Sequence, residues 1–155
     1  MGNLKQKISD DIKEAMIKKE AVKLSTLRML SASITNKEIS LLKKDVGLSD
    51  EEVVEVLSTE ANRRKDAIAE FTKGGRGDLA DKEAEELEIL KTYLPPEISD
   101  DELLRIIKDG IRETGAVSEK EFGKVMKIIM PALKGRASGD RISGKLREEL
   151  GKAAK

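Results

Sequence analysis

Apolar residues recur every three or four positions along nearly the whole chain, and this spacing constrains the fold more than any other feature. Leu4, Ile8 and Ile12 fall on one face of a helix, as do Leu103 and Ile107. The chain holds one Tyr, two Phe and no Trp. Its core must therefore be built from aliphatic side chains, which suit helix-on-helix packing. The sequence predicts an all-α protein.

Three Ser-x-x-Glu motifs mark predicted helix starts. They are Ser49 to Glu52, Ser99 to Glu102 and Ser118 to Glu121. In such a motif the serine hydroxyl accepts a hydrogen bond from the backbone N–H three residues on, and the glutamate reaches back to the N–H of the serine. The sequence therefore predicts three complete capping boxes.

The N-terminal part of the chain is predicted to be a bundle of about four helices. Their apolar stripes run over residues 4–16, 24–42, 53–71 and 80–94. The first stripe includes Met16, and the second runs from Leu24 to Ile34 and on toward Ile39 and Leu42. The third helix is expected to stop at Gly74-Gly75, and Asp78 is expected to cap the fourth.

The pair Pro95-Pro96 is the predicted linker, because two prolines cannot continue a helix. It separates an N-terminal helical domain, residues 1–96, from a C-terminal domain, residues 97–155. Three short helices are expected in the second domain, with Pro131 either ending or kinking the middle one. About fifty residues make a marginal core, so docking on the first domain or on a partner would help to stabilise it.

Charge is distributed unevenly along a chain of zero net charge. The stretch 78–102 holds ten acidic residues against two lysines, a net charge of −8. The stretch 123–152 holds eight basic residues against three acidic ones, a net charge of +5. An overall composition hides such an asymmetry, and a basic segment of this kind is typical of a surface that binds nucleic acid.

The residues that most often carry catalysis are missing. The chain has no His and no Cys, so imidazole bases, thiolate nucleophiles and zinc sites built on either are excluded. We expect no catalytic residue, no cofactor and no metal. No apolar run approaches the roughly 20 residues that a bilayer requires, and no signal-peptide core is visible. We therefore expect a cytoplasmic protein with no membrane partner.

The candidate RNA-binding residues lie in the basic C-terminal stretch. They are Lys124, Lys127, Lys134, Gly135, Arg136, Arg141 and Lys145. The lysines at 124 and 127 share a helix edge, as do residues 141 and 145, while the glycine-containing turn between them can approach phosphates closely. The alternative is a solvated helix surface that pairs with the acidic stretch 78–102, which could also compete with RNA.

Several motifs in the same order along the chain resemble the GatB/YqeY family, in its free-standing YqeY-like branch. In the C-terminal part they are Gly123-Lys124-Val125-Met126 and the run from Met130 to Gly139. Further motifs are Leu27-Arg28-Met29-Leu30, Asn36-Lys37-Glu38-Ile39, Arg63-Arg64-Lys65-Asp66, Glu70-Phe71, Gly75-Arg76-Gly77-Asp78-Leu79, Glu83, Glu86 and Tyr93-Leu94-Pro95. The resemblance covers nearly the whole chain.

The resemblance implies a function in handling tRNA. A tail similar to residues 98–151 helps the B subunit of aspartyl/glutamyl-tRNA amidotransferase to hold misacylated tRNA. It implies a non-catalytic tRNA-binding accessory protein, since these 155 residues leave no room for the catalytic domains of that enzyme. Two alternatives stay open. One is an adaptor that docks on an amidotransferase or an aminoacyl-tRNA synthetase. The other is a part of a complex with carbon–nitrogen ligase activity that uses glutamine as amido-N-donor, the activity attached to the family.

Overall fold

Residues 3–153 are described by a computed structural model of the chain, and all regular structure within them is helical. A single 3-10 turn, Glu119–Glu121, accompanies seven α-helices in this part of the chain. The helices are α1 (Asn3–Ile17), α2 (Ala21–Ser40), α3 (Asp50–Lys73), α4 (Gly77–Lys91), α5 (Asp100–Thr114), α6 (Phe122–Leu133) and α7 (Gly139–Ala153). The prediction of an all-α fold is confirmed.

The chain divides into two compact units, Met1–Leu94 and Pro95–Lys155. Helices α1 to α4 belong to the first unit, where α3 packs most extensively on α4, and α5 to α7 belong to the second. A compact unit of the folded chain does not have to fold on its own, whereas a domain does. The prediction of two domains, 1–96 and 97–155, therefore stays a prediction.

Each unit has its own aliphatic core. The first core is formed by Ile8, Leu27, Leu30, Ile34, Leu48, Val53, Val56, Leu57, Leu90 and Tyr93. The second is formed by Ile98, Leu103, Ile107, Ala116, Val125, Ile129, Leu133, Ile142, Leu146 and Leu150. Most of these residues recur at helical spacing, so the predicted stripes supply the inward faces.

The three predicted capping boxes form to different degrees. At Ser49 both hydrogen bonds are present: Glu52 N–H donates to the serine hydroxyl at 3.2 Å, and Ser49 N–H donates to the Glu52 carboxylate at 3.0 Å. Ser99 makes the first bond alone, from Glu102 N–H. Ser118 caps only a 3-10 turn, where its hydroxyl accepts from the backbone N–H of Lys120. The prediction is confirmed in full at Ser49 only.

The second helix ends earlier than the apolar stripe predicts. Helix α2 stops at Ser40, and Leu42 lies beyond it with a positive φ of 56° and 93% of its surface exposed. Ile39 and Met16 are also about half exposed. Assigning these three residues to inward stripes was wrong, because each helix is ending there. At the end of α1 the buried Ala15 fills the inward position next to Met16.

The glycines that were expected to end α3 do so, but Asp78 does not cap α4 and Pro131 does not end α6. Helix α3 ends at Gly74, and Gly75 takes the left-handed conformation with φ of 72°. Helix α4 begins at Gly77, so Asp78 lies in its first turn and not at the N-cap. There the Asp78 carboxylate accepts two hydrogen bonds from the side chain of Arg76. Helix α6 continues past Pro131 to Leu133.

Close packing of α5 on α6 depends on a glycine. Gly110 is buried, and a Cβ atom placed there would lie 2.4 Å from a methyl carbon of Ile129. That distance is shorter than any ordinary contact between carbon atoms, so the two helices could not keep their separation with a larger residue. The second unit, whose core is small, gains buried apolar contact from this close approach.

Candidate nucleic-acid interface

Helix α6 presents lysines on the face opposite the core. Val125, Ile129 and Leu133 are buried on its inner face, whereas Lys124 and Lys127 are exposed. The two lysines are three positions apart, a rise of roughly 4.5 Å, so their side chains leave the same face less than one turn apart. Within residues 3–153 no carboxylate forms an ion pair with either lysine. Both ammonium groups are therefore available to an anionic ligand.

A tight turn follows α6 and contains three of the predicted residues. Gly135 takes a positive φ of 76°, a conformation that favours glycine, and the N–H of Arg136 closes the turn on the carbonyl of Leu133 at 2.9 Å. The carbonyl of Arg136 in turn accepts a hydrogen bond from Ile98 N–H at 2.9 Å. Lys134 is exposed at the start of this turn. The turn is thus held against the segment that precedes α5.

Two predicted arginines contact acidic residues in the first turn of α5. Nη2 of Arg136 lies 3.1 Å from Oε2 of Glu102, and Nη2 of Arg141 lies 2.6 Å from Oδ1 of Asp100. Both acids belong to the stretch 78–102, for which pairing with the basic residues was the alternative hypothesis. The pairing is therefore observed for these two arginines and not for Lys124 or Lys127.

The remaining predicted residue, Lys145, lies one turn after Arg141 on α7. It is half-buried, and its Nζ lies 3.6 Å from Glu148. Two basic residues outside the predicted set lie nearby in the second unit. Arg147 lies over the ring of Phe122, 5.0 Å from its centroid, and Lys120 is exposed one turn before Lys124. The spacing of 120, 124 and 127 could have indicated Lys120 as part of the same lysine row.

A buried ion network in the first unit was not predicted. Arg64 is 4% exposed and donates from Nη1 to Oε2 of Glu60 at 3.0 Å, while its Nε lies 3.4 Å from Glu86. The hydroxyl of Ser33 donates to the other oxygen of Glu60 at 3.1 Å. A cleft of about 460 Å³ between α2 and α3 reaches this carboxylate. The network joins α3 to α4 through charged groups and to α2 through the hydroxyl of Ser33.

Other polar contacts of the first unit shift the pKa of the groups involved. The Tyr93 hydroxyl donates to Oδ2 of Asp11 at 2.6 Å. Burial, together with this bond, raises the pKa of Tyr93 above its ordinary value, and the same bond lowers the pKa of Asp11. The Asp78 carboxyl also has a lowered pKa, chiefly because Arg76 donates hydrogen bonds to it. None of the predicted RNA-binding residues takes part in these contacts.

Residues 3–153 contain neither a metal-binding cluster nor a membrane-spanning helix. No group of three or more acidic side chains within 3–153 is arranged to hold a metal ion. In that part of the chain no helix is long and apolar enough to cross a bilayer. The predicted site residues of the second unit offer cationic side chains to a ligand.

Comparison with known proteins gives the class of this chain. A family model described as Yqey-like protein matches residues 5–150, nearly the full sequence. The chain belongs to the YqeY-like family. The family that the sequence motifs indicated, in its free-standing form, is confirmed.

Several curated relatives carry the name "Altered inheritance of mitochondria protein 41, mitochondrial". The relative from Vanderwaltozyma polyspora is 34% identical over 125 residues, which cover 76% of this chain and 66% of the relative. The one from Kluyveromyces lactis is 35% identical with the same coverage, and the one from Lachancea thermotolerans is 40% identical over 94 residues, 61% of this chain and 47% of the relative. The chain thus spans just under two thirds of the first two relatives.

The expected cytoplasmic location is corrected by these names. All three relatives are named as mitochondrial proteins. The expectation was wrong because it rested on the lack of a long apolar run and of a signal-peptide core, and neither of these distinguishes one aqueous compartment from another. Compartments that are equally aqueous place the same physical demands on a surface, so the amino-acid content cannot distinguish them.

Proposed function

We propose that this YqeY-like protein is a non-catalytic accessory protein that binds tRNA through the basic surface of its second unit. The observation that carries the proposal is the exposed pair Lys124 and Lys127, whose ammonium groups form no ion pair with any described carboxylate. Two unpaired cations on one helix face attract the regularly spaced phosphates of a nucleic acid.

The kind of nucleic acid follows from what the surface lacks. Single strands are held by stacking bases on exposed aromatic rings. None of the three aromatic residues is exposed: Tyr93 is buried, and Phe71 and Phe122 are partly buried. A surface of cations without rings suits the phosphate backbone and shape of a folded RNA. This favours tRNA, in agreement with the tail of the amidotransferase that residues 98–151 resemble.

The other candidate residues complete the proposed surface. Lys134, Gly135 and Arg136 form the turn after α6, and Arg141 and Lys145 follow on α7. The proposal includes the finer domain division, with residues 1–96 and 97–155 folding as separate domains. It also includes the relation of the second domain to the amidotransferase tail.

A second candidate function is that of an adaptor for an amidotransferase or an aminoacyl-tRNA synthetase. It is favoured by an exposed apolar segment in the first unit: Leu42 and Val46 are each more than four fifths exposed, and Ile39 and Leu41 are partly exposed. Exposed apolar side chains that lie together are typical of protein-binding surfaces. A contribution to carbon–nitrogen ligase activity within a complex rests on the resemblance alone.

The test is a titration of the full chain with purified tRNA at several salt concentrations. Because the relatives are named as mitochondrial proteins, mitochondrial tRNA is titrated beside total tRNA. We expect the logarithm of affinity to fall linearly with the logarithm of salt, with a slope of roughly 0.7 to 0.9 for each phosphate contact. The double variant Lys124→Glu and Lys127→Glu should bind about tenfold or more weakly, with a slope smaller by roughly 1.4 to 1.8.

The matched control is the double variant Lys13→Glu and Lys82→Glu. Both lysines are exposed on helices of the first unit, and the change in net charge is the same. If the control weakens binding as much as the α6 variant, net charge and not the α6 surface is responsible. Absence of tRNA binding at low salt, with capture of an aminoacyl-tRNA-handling enzyme that depends on Leu42, would favour the adaptor.

A further inference from the structure

Two arginines of the proposed RNA surface are already occupied by carboxylates of the same chain. Arg136 contacts Glu102 at 3.1 Å, and Arg141 contacts Asp100 at 2.6 Å. Both acids lie in the first turn of α5, two residues apart. An RNA phosphate that approaches either guanidinium therefore meets a group already bound by an anion of the protein.

Glu102 contacts Arg136 and does not complete the helix cap at the start of α5. In the equivalent position of α3, Glu52 accepts the N–H of its capping serine and so completes the box. At the start of α5 the serine bond is present, but the Glu102 carboxylate contacts Arg136 at 3.1 Å and Arg105 at 3.8 Å. Glu52 divides its oxygens between the cap, through Oε1, and Lys43, through Oε2, whereas both oxygens of Glu102 lie near arginines.

Both contacts are exposed enough to be exchanged for another anion. The Asp100 side chain is 92% exposed, and each arginine side chain is about one third exposed. Ion pairs at such positions contribute little to stability, so breaking them costs little. A phosphate group can accept two parallel hydrogen bonds from a guanidinium at least as well as a carboxylate can. When an RNA phosphate replaces Glu102 at Arg136, the Glu102 carboxylate still lies near Arg105.

We infer that Asp100 and Glu102 act as built-in competitors that occupy Arg141 and Arg136 until the phosphates of a folded RNA displace them. This inference rests on the proposed tRNA-binding function. Lys124 and Lys127 make the first contacts, because no carboxylate of the described chain occupies them, and the arginines join when RNA phosphates displace the acids. The competition lowers the affinity for isolated anions and favours a ligand that brings several phosphates together.

The experiment measures tRNA affinity for Asp100→Asn, Glu102→Gln and the double variant of the full chain. Both substitutions keep the shape of the side chain and remove its charge. We expect binding to tighten about twofold for the exposed Asp100, about fivefold for Glu102 and about tenfold for the double variant at low salt. Thermal unfolding followed by circular dichroism checks that α5 retains its first turn in each variant.

The matched control is Asp101→Asn. Asp101 lies between the two acids in the same turn, is exposed, and forms no ion pair within residues 3–153. It removes one negative charge from the same helix end without releasing an arginine. A change of less than about twofold there, beside tighter binding in the double variant, supports the competition.

Three other outcomes would contradict it. If Asp101→Asn raised the tRNA affinity as much as the double variant does, the overall negative charge at the start of α5, and not the arginine contacts, would control the affinity. Unchanged or weaker tRNA binding by the double variant would show that the acids position the arginines and do not compete with RNA. The proposed tRNA-binding function would still stand in that case. If neither the unaltered chain nor any variant binds tRNA at low salt, the proposed function fails, and the inference fails with it.

Discussion

The two units of this protein use charged residues differently. In the first unit Arg64, Glu60 and Glu86 are buried, and Arg64 contacts both Glu60 of its own helix α3 and Glu86 of α4. In the second unit the core is aliphatic, and Lys124 and Lys127 are at the surface. A buried charge is committed to the fold because desolvation makes it costly to leave unpaired. An exposed cation without a partner can meet a ligand. The network of the first unit is therefore given a structural role, and the function is proposed for the second unit because its exposed lysines at 124 and 127 lie together on one helix face.

The largest effect is expected from breaking the buried network. Arg64→Ala leaves Glu60 and Glu86 buried without their cation, and should lower the free energy of unfolding by about 3–5 kcal/mol. Urea denaturation measures it. The neighbouring Arg63 is a control, since its side chain is 72% exposed and lies 3.6 Å from the same Glu60. Arg63→Ala should cost at most about 1 kcal/mol. If both variants lowered the free energy of unfolding by similar amounts, the proposed difference between buried and exposed charges would be contradicted.

A second effect tests how tightly the core of the second unit is packed. Gly110→Ala places a Cβ atom against Ile129 and should lower the free energy of unfolding by about 1–3 kcal/mol. Gly144→Ala is the control, because Gly144 is exposed on α7 with nothing within 4 Å of an added Cβ. It should stabilise the chain by about 0.5–1 kcal/mol. If Gly110→Ala left the free energy of unfolding unchanged, α5 and α6 would be able to move apart at little energetic cost.

A third effect compares the two serine caps directly. Ser49→Ala removes a complete capping box and should cost about 1 kcal/mol, near the middle of the usual range for a cap. Ser99→Ala removes a single bond, since Glu102 contacts Arg136 instead, and should cost less. Thermal unfolding of both variants gives the comparison. A larger loss at Ser99 would contradict the difference that the two sets of hydrogen bonds indicate.

The smallest effect is a dependence on pH. The hydrogen bond from Lys43, and then the backbone bond from Ser49, lower the pKa of Glu52 to about 2 from 4.5. Since the folded-state pKa lies below the unfolded one, this stabilisation is present above about pH 4.5 and is lost as the pH falls toward 2. Glu52→Gln should therefore narrow the difference in unfolding free energy between about pH 6 and about pH 2.5. Glu51→Gln, at an exposed neighbour, should leave that difference nearly unchanged.

Much of the helical structure could be predicted, but the ends and the ion pairs could not. The stripes that contain Ile8 and Ile107 do face the cores, because helical periodicity is a local property. The prediction extended the second helix too far toward Leu42, because the apolar spacing in the sequence continues after the helix itself has ended. The pair Glu60 and Arg64, four residues apart, looks like a surface salt bridge, and periodicity does not show that Arg64 reaches Glu86 of α4 while Glu60 accepts a hydrogen bond from Ser33 of α2.

The sequence by itself determined the all-helical class, the positions of the serine caps, the family and the uneven distribution of charge, because these depend on neighbouring residues or on order along the chain. Only the tertiary structure decided which charges have partners. Glu102 and Arg136 are 34 residues apart, and Asp100 and Arg141 are 41 apart. Such pairs form when helix packing brings their ends together, and the same packing leaves Lys124 and Lys127 exposed and unpaired among the described residues.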